Sequence, residues 1–132
     1  MLKIDHIGIA VKNMADSNEL FAKLLGEAHY KVENVDSEKV ATSFFRIGDS
    51  KIELLEASDP QSPIAKFIEK RGEGIHHIAF EVSDIQAEMA RLEGEGFVLI
   101  NSEPKRGADN KLVVFLHPKS SNGVLVELCQ SL

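Results

Sequence analysis

The alternation of apolar and polar positions is nearly the same in two stretches of the chain. The first reads DHIGIAVKNMAD from Asp5 to Asp16, and the second reads HHIAFEVSDIQA from His76 to Ala87, 71 residues further on. Each begins with an alternating run that is typical of a half-buried strand and continues through a polar break into a helical pattern. The chain is therefore predicted to repeat one module twice.

The helix of the first module is predicted to follow Asn13, with Asp16 three residues on as a capping-box-like partner, and to end at Gly26. The helical spacing of the apolar residues predicts that one face of this helix packs inward. That face carries Met14, Phe21, Leu24 and Leu25.

The helix of the second module is predicted to follow Ser83, with Gln86 three residues on, and to end at Gly94 or Gly96. Its inward residues are predicted at positions i, i+4 and i+7. They are Ile85, Met89 and Leu92.

Strand-like runs follow each helix, so each module is predicted as βαβββ. The clearest runs are 40–47 and 51–56 in the first half and 111–117 and 124–129 in the second, with weaker candidates starting near Tyr30 and Phe97. Ser62 and Pro63 open a short extra helix between the modules. The expected organisation is one α+β domain over residues 1–132, with module one at about 1–60, a linker helix at about 61–72 and module two at about 73–132.

The two first strands separate bulky from small side chains. In a strand, successive side chains point to opposite faces, so His6 and Gly8 share one face while Ile7 and Ile9 share the other. His77 occupies the position of His6 in the second copy. We therefore expect the helices to cover the bulky face, and the histidine face of a cupped, barrel-like mixed sheet to hold a ligand.

Composition narrows the functional classes. The chain has 132 residues, 43% of them hydrophobic, and a formal net charge of −6, which disfavours nucleic acid as a partner. The apolar segment near the start is far shorter than the roughly 20 residues that span a bilayer, so no membrane is expected. A single cysteine, Cys129, cannot form an intramolecular disulfide. These features predict a soluble, cytoplasmic protein.

Four residues at repeat-related positions carry the candidate chemistry. They are His6 and His77 on the first strand of each module, and Glu53 and Glu127, 74 residues apart, on the last. A carboxylate within an apolar strand needs a cation or strong donors. Two imidazoles and two carboxylates make a mixed nitrogen and oxygen site for Co²⁺, Ni²⁺, Mn²⁺, Zn²⁺ or Fe²⁺, and four protein ligands leave positions open for substrate. The structural alternative is a pair of buried histidines and two edge glutamates without a ligand.

Two further observations have simpler interpretations. Cys129 lies one strand step from Glu127, and we interpret it as a small buried hydrophobic residue rather than a site residue. Basic residues gather in the second half of an acidic chain, where they form either a solvated surface or a rim for an anionic substrate. They are Lys105, Arg106, Lys111 and Lys119.

The sequence resembles the vicinal oxygen chelate, or glyoxalase-like, superfamily, and within it the methylmalonyl-CoA epimerase family along nearly the whole chain. The resemblance rests on DHIGIAV, on IELLEA followed by SPIAKFI, on GIHHIAFEV, and most specifically on the run HPK followed by GVLVEL between His117 and Leu128. It implies a metal held by His6, His77 and Glu127, with Glu53 in the fourth position. Some members carry a further glutamate on the strand before Glu53, where this chain has Thr42 and Ser43 instead.

The resemblance implies an isomerase that removes the α-proton of methylmalonyl-CoA through a metal-stabilised enolate. Glu53 and Glu127 are then the catalytic residues that exchange protons on opposite faces of the carbon. One divalent ion per chain is expected, with Co²⁺ favoured, together with an acyl-CoA substrate and a homodimer. A lactoylglutathione lyase has the same ligand types and is the first alternative. A non-catalytic binding protein of the same fold comes next, and a ring-cleaving dioxygenase is the least favoured.

Overall fold

The structure is a computed structural model that describes residues 1–132. It contains three α-helices, namely α1 (Met14–Leu25), α2 (Pro63–Arg71) and α3 (Ile85–Gly94). The eight strands are β1 (Lys3–Ala10), β2 (Lys31–Val35), β3 (Val40–Ile47), β4 (Ser50–Ala57), β5 (Gly74–Glu81), β6 (Lys105–Gly107), β7 (Lys111–Leu116) and β8 (Val126–Ser131). The order β1-α1-β2-β3-β4, then α2, then β5-α3-β6-β7-β8 confirms the α+β class and the repeated βαβββ pattern.

The chain divides into two compact units whose boundary cuts through two strands. One unit is Ile7–His76, and the other joins Met1–His6 to His77–Leu132. The first part of β1 therefore belongs with the second half of the chain. As a consequence, His6 and His77 lie in the same unit although 71 residues separate them.

The unit Ile7–His76 is a sheet with α1 packed on it. Its strands follow the order β2-β3-β4-β1, and β3 and β4 form an antiparallel hairpin that turns between Ile47 and Ser50. Val11, Phe45 and Leu54 form a buried cluster, and Phe21 and Leu25 of α1 pack against it. Ile9 of β1 packs against the same cluster, so α1 covers the bulky face of β1 at this position, as the alternation predicts.

The ends of α1 are those that the sequence predicts. Asn13 caps the first turn by accepting a hydrogen bond from the Asp16 amide, and Gly26 ends the helix at φ 80°, a left-handed conformation that favours glycine. The prediction for Leu24 is wrong, because its side chain is 71% exposed. Leu24 falls just outside the arc of the helix surface that faces the sheet.

Helix α2 begins as predicted, with Ser62 as the N-cap and Pro63 at the first helical position. Ile64 packs with Ala10 and Leu55, and Phe67 and Ile68 join the edge of the same cluster. Helix α2 therefore covers Ala10, the last residue of β1.

In the other unit, β8 runs parallel to β5 and antiparallel to β7. Glu127 of β8 stands opposite Ala79 of β5 and Phe115 of β7. Helix α3 packs on the far side of this sheet, where the predicted inward residues Ile85, Met89 and Leu92 are buried together with Val114 and Leu128. The opposite side of β5, β8 and β7 is left for the polar residues described below.

Three predicted boundaries in this unit differ from the structure. Asp84, not Ser83, caps α3, because its side chain accepts a hydrogen bond from the Ala87 amide. The strand expected near Phe97 is reduced to one isolated bridge at Leu99, and the third strand of the module is the short β6 instead. Strand β8 begins at Val126 rather than at position 124.

None of the three helices has the length and apolar character that crossing a membrane requires.

Candidate metal centre

Three adjacent strands of one sheet bring His6, His77 and Glu127 together. The strands β1, β5 and β8 are neighbours in the sheet order. His77 lies two residues before Ala79, which is paired with Glu127, so the histidine and the carboxylate emerge on the same face. The face that strand alternation predicted for His6 and His77 is therefore the face on which the structure brings these side chains together with Glu127.

The three side chains approach one another closely. The Nε2 atoms of His6 and His77 are 3.0 Å apart, and His77 Nε2 is 3.2 Å from Glu127 Oε1. His6 Nε2 is 3.8 Å from the other carboxylate oxygen, Oε2. All three residues are buried, with between 5% and 6% of their surface exposed.

This donor set fits a divalent cation. The three ligand atoms lie within 4.8 Å of one another, which suits a single ion placed between them. Two neutral imidazoles that face each other through Nε2 can share only one proton in that gap, whereas both lone pairs can bind one cation. Two nitrogen donors and one carboxylate are typical of transition-metal and zinc sites in proteins.

Electrostatics keep the carboxylate of this cluster ionised. Burial raises the pKa of Glu127, but the hydrogen bond from His77, together with the positive charge that His77 and His6 carry when protonated, lowers it by more. The net pKa of Glu127 lies below the usual value for a glutamate. Glu127 is thus an anion at neutral pH, the form in which a carboxylate binds a cation.

Asp5 orients His6 through Nδ1, the imidazole nitrogen that does not face His77. The Nδ1–H of His6 donates a hydrogen bond to Asp5 Oδ2 at 2.7 Å, and both residues are buried. Because a carboxylate only accepts, the proton of the neutral imidazole is placed on Nδ1 and the lone pair on Nε2. Asp5 was not among the predicted site residues, because strand alternation places it on the opposite face from His6.

Lys111 completes this arrangement on β7. Its Nζ lies 3.2 Å from Asp5 Oδ1, 3.1 Å from Ser131 Oγ and 3.7 Å from Glu81 Oε1. The side chain is buried, with 8% of the residue exposed. Lys111 is therefore neither a solvated lysine nor part of a surface rim, the two interpretations that the sequence left open.

Glu53 belongs to the other compact unit. It is buried on β4, with 4% of the residue exposed, and stands opposite Phe44 of β3. Lys51 Nζ lies 3.8 Å from its carboxylate. The expectation that this glutamate is buried within an apolar strand, rather than exposed at a sheet edge, agrees with its position.

Cys129 is a buried residue, as the sequence predicts, and His76 and Phe115 pack against aromatic rings. His76, next to His77 in β5, makes an edge-to-face contact with Phe67 at 4.9 Å between ring centres, so it serves as a packing residue. Cys129 is fully buried with Ala79 and Val113, and its thiol lies 3.6 Å from the Phe80 carbonyl oxygen. Phe115 packs edge to face against His77, with 5.6 Å between the ring centres.

The comparison with protein families assigns this fold. The model of the Glyoxalase/Bleomycin resistance protein/Dioxygenase superfamily matches residues 5–115. The chain belongs to this superfamily. The matched range includes His6, Glu53 and His77, and ends twelve residues before Glu127.

Related proteins and structures cover almost the whole chain. Ethylmalonyl-CoA/methylmalonyl-CoA epimerase of Cereibacter sphaeroides is 42% identical over 130 residues, which are 97% of this chain and 97% of that protein. A hypothetical protein from Bacillus halodurans C-125 has a solved structure with a TM-score of 0.96 and 46% identity, covering 98% of this chain and 94% of that one.

A third similar structure includes a ligand. It is a methylmalonyl-CoA epimerase from Streptomyces coelicolor in complex with 2-nitronate-propionyl-CoA, with a TM-score of 0.95 and 34% identity over 99% of this chain and 95% of that one. These similarities confirm the predicted glyoxalase-like fold and the predicted enzyme class, an isomerase of the racemase and epimerase type.

Proposed function

We propose that this superfamily member interconverts the two epimers of methylmalonyl-CoA. The observation that carries the proposal is the buried cluster of His6, His77 and Glu127 in a chain whose relatives include epimerases of this thioester. The α-proton of the substrate lies between a thioester carbonyl and a carboxylate. A site that stabilises negative charge on these oxygens makes that proton removable.

His6, His77 and Glu127 would hold one divalent ion, and Glu53 is proposed as the fourth ligand because it occupies the repeat position of Glu127. The bound ion supplies Lewis-acid stabilisation of the charge that develops on the substrate when the proton leaves. The two imidazoles favour Co²⁺, Ni²⁺ or Zn²⁺ over Mg²⁺ or Ca²⁺, and we propose Co²⁺ first among them.

Glu53 and Glu127 are proposed as the two groups that exchange protons with the α-carbon. Inversion requires a proton to leave one face of the carbon and another to arrive on the opposite face. Two carboxylates from equivalent strands of the repeated modules supply one group for each face. The lowered pKa of Glu127 supports its starting state as an ionised acceptor.

We also propose that the protein is a homodimer located in the cytoplasm. Several large apolar side chains of one unit are exposed, among them Leu2, Ile4, Val98 and Ile100. Such side chains support a homodimer that covers part of them. A location in the cytoplasm is supported by the single cysteine, which is buried as a free thiol.

The proposal is tested by incubating one pure epimer of the thioester with the protein loaded with Co²⁺. The second epimer should appear, and removal of the ion with a chelator should abolish the conversion. The glutathione hemithioacetal of methylglyoxal serves as the competing substrate. Rapid conversion of this adduct, with no conversion of the thioester, would instead establish the lyase.

A further inference from the structure

A chain of hydrogen bonds runs from Lys111 through Asp5 to Nδ1 of His6, the imidazole nitrogen that does not face the cluster. Lys111 Nζ donates to Asp5 Oδ1 at 3.2 Å, and the second oxygen of Asp5 accepts from His6 Nδ1 at 2.7 Å. The other imidazole nitrogen of His6 is the atom that faces His77 and Glu127. The three residues thus connect β7 to the cluster through β1.

We propose that Asp5 and Lys111 are positioning residues that set the tautomer and orientation of His6, and thereby the affinity of the cluster for a divalent ion. A histidine ligand whose second nitrogen donates to a carboxylate is held in one ring orientation and binds metal more strongly. This inference rests on the proposed function, because it assumes that His6 Nε2 binds the ion.

The geometry of Asp5 explains why a lysine is needed. A lone carboxylate buried among strands carries a large desolvation cost unless a cation or strong donors compensate it. Lys111 compensates Asp5 directly, and its remaining contacts with Ser131 and Glu81 fix the ammonium group in turn. Asp5 Oδ1 thus accepts from Lys111 and Asp5 Oδ2 accepts from His6, and these two hydrogen bonds hold the carboxylate in the orientation that faces His6.

The first experiment measures the tautomer of His6 in metal-free protein by long-range ¹H–¹⁵N correlation spectra of the imidazoles. Wild-type protein should have the proton of neutral His6 on Nδ1. The Asp5→Asn variant should lose this preference and place a substantial fraction on Nε2. An unchanged tautomer in Asp5→Asn would overturn the role assigned to Asp5, whether or not the protein binds an ion.

The second experiment measures affinity for Co²⁺ by competition with a chelator. Asp5→Asn should weaken binding by about 10- to 100-fold, the usual cost of losing such a partner. Asp16→Asn, which removes an exposed aspartate from α1, is the matched control and should leave the affinity unchanged. Wild-type affinity in Asp5→Asn would contradict the inference, whereas no binding by wild-type protein would contradict the proposed function instead.

A double-mutant cycle tests whether Lys111 acts through Asp5. Lys111→Met should weaken Co²⁺ binding when Asp5 is present and add no further loss in the Asp5→Asn background. Lys111→Arg, which keeps the cation, should retain more affinity than Lys111→Met. Arg91→Met, which breaks a surface pair with Glu88, is the control for loss of a cation. Additive losses in the cycle, or no rescue by arginine, would overturn the coupling.

Discussion

The Nε2 atoms of His6 and His77 lie 3.0 Å apart although the two residues are separated by 71 positions. The separation equals the offset of the sequence repeat, so the same position of each module contributes one imidazole. Glu127 adds a carboxylate from the last strand of the second module. Duplication of one βαβββ unit thus explains both the fold and the pairing of the nitrogen donors.

The first prediction concerns the ligand histidine and its neighbour. His77→Ala should remain folded but bind divalent ions at least 10- to 100-fold more weakly, since a direct ligand should contribute no less than an outer-shell partner. Metal analysis after dialysis and circular dichroism measure the two effects. His76→Ala is the matched control, because its ring packs against Phe67. If His76→Ala lost the metal while His77→Ala kept full occupancy, His76 rather than His77 would be the ligand, and the assignment of His77 to the ligand face of β5 would be wrong.

The second prediction separates the roles of the two glutamates. Glu53→Gln and Glu127→Gln should each abolish interconversion of the epimers at saturating Co²⁺, because glutamine can still bind the ion but cannot carry the proton. Each variant should retain solvent exchange with the epimer whose proton faces the remaining carboxylate. Mass spectrometry of both epimers after incubation in heavy water measures this, and complementary patterns are expected. Exchange at the wild-type rate in Glu53→Gln would exclude that residue as a base.

The third prediction follows from the lowered pKa of Glu127. A carboxylate whose pKa is lower in the folded than in the unfolded protein stabilises the fold when it is ionised. This stabilisation is fully present above the pKa of the unfolded protein, which is about 4.3 for glutamate, and it is lost as the pH falls through the pKa of the folded protein. In metal-free protein, wild type should therefore unfold at a higher temperature than Glu127→Gln at pH 6. The difference should shrink below about pH 4. A difference that grows toward low pH would contradict the assigned direction.

The fourth prediction compares two leucines on different helices. Leu92 on α3 is 5% exposed and belongs to a buried cluster, whereas Leu24 on α1 is 71% exposed. Leu92→Ala should lower the free energy of unfolding by about 2–5 kcal/mol, the usual range for a buried leucine. Leu24→Ala should change it by less than about 0.5 kcal/mol. Urea denaturation of both variants measures the contrast, and equal losses would refute the packing of α1.

Period-two and helical spacing were sufficient to predict the repeat, the inward face of α3 and the grouping of His6 with His77. The helical period does not fix how wide the contact with the sheet is, and this is why Leu24 was placed on the wrong side. Asp5 was missed for a different reason. Neighbouring residues in a strand point to opposite faces, so alternation separates Asp5 from His6. In the structure, however, His6 Nδ1 lies 2.7 Å from Asp5 Oδ2.

Local sequence patterns could not predict the buried position of Lys111 or its contact with Asp5. Its partner Asp5 is 106 residues away, and only the pairing of β7 with β8 and the addition of β1 to the same sheet bring them close. Composition placed Lys111 among other basic residues of the second half, where a solvated surface was the simplest interpretation. A buried cation is recognised only when the burial itself is known.

Proton exchange by two carboxylates is tested most directly by the isotopic content of the product formed from one pure epimer of methylmalonyl-CoA in heavy water. The Co²⁺-loaded protein should yield the opposite epimer with one deuterium at the α-carbon from the first turnovers, because the arriving proton comes from a second group that has equilibrated with solvent. Conversion without deuterium would contradict proton exchange by two carboxylates. The absence of any conversion by the ion-loaded protein would contradict the epimerase itself.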